Sequence, residues 1–217
     1  DDFEELLHDY NQKNEMITQI WALHQDEKYQ LVQETLDPLE QILYSSLLGI
    51  RMLDQEVQSE SAKAYLTNLK KEIEQRLSDL KKVSINVYPS CIDDLGVCGA
   101  IKSLYEVLKK GNEITMDIDF KGTLNKQPHK INITAFRLLQ YLIQIIDKLK
   151  NIPSLKISFA EKAKEIIIAL EAEGLTKKLQ QNSEYMLLKE LVDSLGDWEI
   201  VPHNNNELHV VLSLKRN

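Results

Sequence analysis

VYPSCIDDLGVCGAIKSL, residues Val87–Leu104, divides the chain in two. Tyr88-Pro89 must end any helix that reaches it, because proline has no N–H and pushes its predecessor out of the helical region. Asp93 and Asp94 suit the first turn of a new helix, where carboxylates meet free N–H groups and the positive end of the dipole. Ala100 to Lys110 then reads as a helix closed by Gly111. Before the break, apolar residues recur every three or four positions. After it, strand and helix patterns alternate.

Upstream, Val32, Leu36, Leu39, Leu43, Ser46, Ile50 and Leu53 are separated by alternating steps of four and three, the period of a coiled coil. A second seam runs one residue away, through Leu31, Thr35, Leu39 and Ile42. Apolar residues at neighbouring positions broaden the stripe, as in a bundle. Phe3 to Tyr29 is more polar and suits a lead-in helix. A second long helix carries Leu66, Leu69, Ile73, Leu77, Leu80, Val83 and Val87 on one stripe, and DQEVQSESAK (54–63) holds the connection. Two antiparallel helices cannot hide stripes this broad, whereas two hairpins paired as a four-helix bundle can. The pattern therefore predicts a homodimer. The alternative is that the stripe packs on the chain's own second half.

Downstream, Glu113 to Phe120 places Ile114, Met116, Ile118 and Phe120 on one face of a strand. Ile131 to Leu149 is a helix with a wide apolar face. Leu155–Phe159 and Glu165–Leu170 read as strands, Glu184–Leu195 as a helix, and Trp198–Val201 with Leu208–Leu214 as a closing pair. Mixed strands and helices with hairpin-like connections predict an α/β sandwich. The expected class is thus α+β, with a helical hairpin over residues 1–90 and a sandwich over 91–217.

Composition narrows the function. The chain has 217 residues, a formal net charge of -8, and 43% hydrophobic residues, enough for a buried core. The acidic balance excludes a nucleic-acid platform, which needs clustered Lys and Arg. No run approaches the ~18 apolar residues of a membrane helix, so no membrane contact is expected within this segment. Cys91 and Cys98 form no metal motif and no disulfide framework, which predicts a cytoplasmic setting. The chain opens on Asp1 rather than Met and reads as a piece of something longer.

Val87–Leu104 also resembles the helix-to-domain junction of bacterial sensor histidine kinases that signal to NarL/LuxR-type response regulators. The junction there reads roughly Leu-Arg-Pro, two residues, Leu-Asp-Asp-Leu-Gly-Leu, then Ala-Leu. Pro89, Ile92, Asp93, Asp94, Leu95, Gly96, Val97, Ala100 and Ile101 fall on it at matching spacing. DEKYQLVQETLDPLEQIL (26–43) resembles the same family's dimerisation helix, whose phosphoacceptor motif is Glu-Leu-His-Asp, three residues, Gln. Glu34, Asp37 and Gln41 match; Thr35 stands in the leucine slot and Leu36 in the histidine slot. AFRLLQYLIQIIDKLK (135–150) resembles the helix that carries the magnesium-coordinating asparagine. Phe136, Arg137, Leu138, Leu139 and Gln140 keep its scaffold, while Tyr141 replaces a glutamate and Ile145 the asparagine. After the strand at 165–170 the family expects Asp-x-Gly-x-Gly. Here Ala172, Glu173, Gly174, Leu175 and Thr176 retain only Gly174, and the glycine-rich lid before the last helix is absent.

The resemblance implies a dimerisation hairpin followed by a GHKL-like ATPase domain. Leu36 offers no nitrogen lone pair to attack a phosphate, and Ile145 cannot ligate magnesium. The reading is a degenerate kinase module with no cofactor and no metal. Its expected function is that of a non-catalytic adaptor binding a response regulator's receiver domain or a related histidine kinase, through Glu34, Leu36, Asp37, Glu40 and Gln41. Leu36 either fills the bundle seam or faces outward as an apolar docking contact. One alternative is a phosphatase of the phosphorylated regulator, with Gln41 orienting water and Asp37 assisting. Another is a structural scaffold for an unrelated partner. Of the five histidines, His24 lies too far from Leu36 to replace the acceptor, and His203 and His209 decorate a turn around HNNNE.

Overall fold

The computed structural model describes residues 2–108, 114–120, 127–149, 152–162 and 165–214. Two compact units emerge. One is His24–Ser90; the other combines Asp1–Leu23 with Cys91–Asn217. Gly111, Lys110 and Glu113, which the sequence assigned to the end of a helix and the start of a strand, lie outside the described residues.

The first unit is an antiparallel helical hairpin. Helix α1 (Asp2–Leu31) enters it, a π-helical turn follows at Val32–Leu36, and α2 (Asp37–Glu56) continues. Pro38 explains the turn: its nitrogen cannot bond the Glu34 carbonyl, and its ring crowds that oxygen. The backbone instead closes a wider ring, in which the Asp37 N–H donates to the Val32 carbonyl five residues back. Val57–Ser59 connects α2 to α3 (Glu60–Val87), inside the predicted segment. Helix α3 ends as expected, with Tyr88 extended before Pro89.

Leu47 and Ile50 on α2 and Leu77 and Ile85 on α3 are buried. Charges flank this seam, with Arg51 Nη2 3.8 Å from Glu74 Oε1 and Lys81 Nζ 3.9 Å from Glu40 Oε1. Leu39, Ile42, Leu48, Met52 and Leu53 stay exposed in the single chain. The broad stripe is therefore half covered by the hairpin partner.

In the second unit α4 (Ile92–Leu108) starts eight residues before the expected Ala100. Gly96 interrupts it with φ 66° and ψ -174°, a conformation essentially reserved for glycine. The chain thus forms a short turn through Asp93 and Asp94, kinks at Gly96, and resumes as a helix. Asp93 Oδ1 lies 2.6 Å from His129 Nδ1, tying this turn to the start of α5 (His129–Lys148). Cys98 lies in this helix, and its thiol is pushed up to about 12 by burial, partly offset by Lys102. Such a thiol carries almost no reactive thiolate near neutral pH.

The sheet has five strands in the order β1-β2-β3-β5-β4. These are β1 (Thr115–Phe120), β2 (Ser154–Lys162), β3 (Glu165–Glu171), β4 (Trp198–Pro202) and β5 (Glu207–Ser213). Only the β1–β2 pair is parallel; β2–β3, β3–β5 and β4–β5 are antiparallel. Period-two alternation sends Leu155, Ile157, Phe159, Ile166, Ile168, Leu170, Leu208, Val210 and Leu212 into the core. The intervening residues stay half-buried or exposed, as expected for a sheet covered on one face.

Helix α5 is the centre of this unit. From Asn132 to Gln140 it is buried at every position, and Leu142, Ile143, Ile145 and Ile146 continue the burial. Two further helices follow β3: α6 (Leu175–Gln180), which the sequence reading missed, and α7 (Ser183–Ser194), one residue from its expected start. The N-terminal stretch joins this unit. Thr18 Oγ1 lies 3.4 Å from the Ser194 carbonyl, and the Trp21 ring meets Tyr141 edge-on at 6.4 Å. No helix among the described residues is long and apolar enough to cross a membrane.

Candidate functional site

The hairpin carries the five residues singled out in the sequence, and the π-helical turn positions the first two. Glu34 lies within the turn and is exposed; Leu36 is its last residue and is half-buried in the single chain. Asp37 opens α2 and is half-buried, Glu40 is half-buried, and Gln41 is exposed one turn beyond Asp37. The five therefore share one short stretch of helix surface, acidic around a single apolar residue. No histidine lies within it, and the one histidine of this unit, His24, is exposed.

Two contacts shape the stretch. Gln33 Nε2 donates to Asp37 Oδ2 at 3.1 Å, so the carboxylate is drawn toward the preceding turn and not toward Gln41. Gln33 was not singled out from the sequence, although its spacing of four from Asp37 is the signal that finds it. Lys81 Nζ donates to the Tyr44 hydroxyl at 2.5 Å and approaches Glu40. This cation borders the acidic stretch and fixes Glu40 against α3. Chemically, the surface offers carboxylates, a free-facing amide and an apolar side chain. It offers no nucleophile stronger than a carboxylate.

The sheet-bearing unit holds the positions at which the resemblance implies ATP contacts. Ile145 on α5 is buried and apolar. Tyr141, one turn earlier, is half-buried, with its ring against Trp21. Neither presents the oxygen that a hard cation such as magnesium requires. At the β3–α6 turn, Ala172 is buried and its N–H donates to the Asn206 carbonyl. Gly174 adopts φ 64° and its N–H donates to Asn206 Oδ1 at 2.8 Å. Thr176 Oγ1 donates to the Asn204 carbonyl at 2.7 Å. The polar groups of this turn are thus already engaged by the β4–β5 connection. Helix α6 passes into α7 across Gln181 and Asn182 alone, and Asn182 Oδ1 caps α7 by accepting from the Tyr185 N–H at 2.9 Å. A two-residue link leaves no room for a phosphate-covering lid.

No family model matches the chain. In sequence it is similar to the signal transduction histidine-protein kinase/phosphatase DegS of Brevibacillus brevis, at 21% identity over 218 aligned positions. The match covers 97% of this chain and 56% of that protein, so the chain spans little more than half of its relative's length. Among solved structures, the histidine kinase AdeS of Acinetobacter baumannii is similar at 14% identity and a TM-score of 0.40, over 86% of this chain and 98% of that one. The blue-light activated histidine kinase EL346 of Erythrobacter litoralis is similar at 9% identity and a TM-score of 0.42, over 83% of this chain and 60% of that one. Over nearly its whole length, the chain is a histidine-kinase-like module.

Proposed function

We propose that this histidine-kinase-like module works without ATP, as a dimeric adaptor that binds the receiver domain of a response regulator or a related kinase and modulates its phosphorylation. The observation that carries the reading is the contrast between the two units. The hairpin keeps the acidic and amide residues Glu34, Asp37, Glu40 and Gln41 around a half-exposed Leu36. The sheet-bearing unit has apolar or self-satisfied groups at Tyr141, Ile145, Ala172 and Thr176. These residues do not fit Mg-ATP. The uncovered residues Leu39, Ile42, Met52 and Leu53 suit a second hairpin packed alongside the first, completing a four-helix bundle.

Binding of a receiver domain, measured by calorimetry, tests the proposal. Leu36→Glu is expected to weaken the complex about tenfold, roughly 1.4 kcal/mol, through loss of a central apolar contact. Mg-ATP is expected to leave the thermal midpoint unchanged. A competent site filled at about 100 times its dissociation constant would add about 2.7 kcal/mol. A clear ATP-dependent shift would sink the adaptor reading.

A second reading is favoured by the exposed amide of Gln41, which faces solvent one turn from Asp37. There it is placed to orient a water molecule toward a phosphorylated receiver, chemistry that depends on positioning more than on a strong base. The relative's name includes a phosphatase. Gln41→Ala is expected to abolish loss of phosphate from a phosphorylated receiver while leaving its binding intact. An unchanged rate of phosphate loss removes this reading and leaves the adaptor.

A further inference from the structure

The β4–β5 turn brings together three donors that the hairpin chemistry does not use. Glu207 and His209 stand two apart on β5, on the face opposite the core residues Leu208 and Val210. His203, just beyond β4, folds back over them, because its N–H and that of Asn204 both donate to the Glu207 carbonyl. The imidazoles of His203 and His209 stack with centroids 4.6 Å apart and planes 10° from parallel. Glu207 Oε1 lies 2.8 Å from His209 Nε2, and Glu207 Oε2 lies 4.0 Å from His203 Nε2. One ligand atom from each of the three lies within 4.8 Å of the others.

We propose that His203, Glu207 and His209 form a binding site for a borderline divalent metal ion, zinc in particular. Two imidazoles and a carboxylate are a donor set that suits zinc, whereas magnesium and calcium prefer oxygen alone. Tetrahedral zinc with bonds of about 2.0–2.2 Å needs donors roughly 3.4 Å apart, and the observed separations straddle that value. Small rotamer changes close the set, since His203 is 59% exposed and free to turn. The carboxylate is already held for the task. Asn204 Nδ2 donates to Glu207 Oε2 at 3.2 Å, while Asn204 Oδ1 accepts the Asn206 N–H at 2.8 Å. Asn206 in turn caps the β3–α6 turn through Gly174. Such supporting bonds orient metal ligands. The open face of the sheet leaves the fourth position to water.

Calorimetric titration of the chelator-treated full chain with zinc chloride tests the site. One zinc per chain is expected. His209→Ala and His203→Gln are each expected to weaken binding by at least about tenfold, and Asn204→Ala by about tenfold. The double variant Cys91→Ser/Cys98→Ser is expected to bind like the parent, separating this site from thiol binding. Because His203 is exposed in a turn, His203→Gln is expected to keep the urea midpoint of the parent, so its lost affinity reads the site and not the fold. The proposal is overturned if the parent does not bind zinc, or if binding survives both histidine substitutions.

Discussion

Phe136→Ala is expected to destabilise the sheet-bearing unit by about 3–5 kcal/mol, the cost of emptying a phenylalanine site that cannot collapse. Phe136 is fully buried in α5, whose inward residues are enclosed along four turns. Its ring also lies 5.7 Å from the guanidinium carbon of Arg137, so truncation strips a buried cation of an aromatic neighbour. Both tryptophans of the chain, Trp21 and Trp198, belong to this unit. Tryptophan fluorescence in urea therefore reports its unfolding separately from the hairpin. With a denaturant slope of about 2 kcal/mol/M the midpoint falls by roughly 2 M. A fall of less than a quarter of that would mean that α5 is not the centre of the core.

Gln140→Leu is expected to cost about 1.5–3 kcal/mol by the same readout, because a hydrogen bond to a buried charge is lost. Arg137 is fully buried, and its Nη1 donates to Gln140 Oε1 at 2.8 Å, one turn along the helix. Arginine cannot shed its proton to escape burial. Adding Arg137→Met to Gln140→Leu removes the charge together with its acceptor, so the double variant should be less destabilised than the two singles summed. Strict additivity would show that the pair does not act as a unit. The two predictions share a functional consequence. The helix that resembles an ATP-coordinating element works here as an apolar pillar, stabilised by packing and one internal polar pair.

The pattern of apolar residues carried most of this architecture. Both hairpin helices, α5, α7 and all five strands follow from spacing, because each buries one face and so repeats at its own period. The misses have particular causes. The early start of α4 depends on Gly96 taking a positive φ, which spacing cannot show even though the residue itself stood out. LTKKLQ, the sequence of α6, is too short to establish a period and lay within a stretch read for nucleotide motifs. In the hairpin, residue types located the docking stretch, but the direction of Asp37 depends on its bond from Gln33. The meeting of His203 with His209 was half legible. Alternation along β5 puts Glu207 beside His209, but the return of His203 is a product of how the turn closes.

The wide turn at Val32–Leu36 also works as a one-residue insertion written into a continuous helix. It takes up one residue more than an α-turn, so residues beyond it are rotated by about 100° relative to an unbroken count. The two seams one residue apart, through Leu31 and Thr35 or through Val32 and Leu36, are therefore successive phases of one face and not rivals. In length terms, the chain has a slack link at the base of its docking stretch. Removing one residue there would restore an ordinary helix with both phases aligned, whereas the same removal farther along α2 would swing Leu47 and Ile50 out of the hairpin.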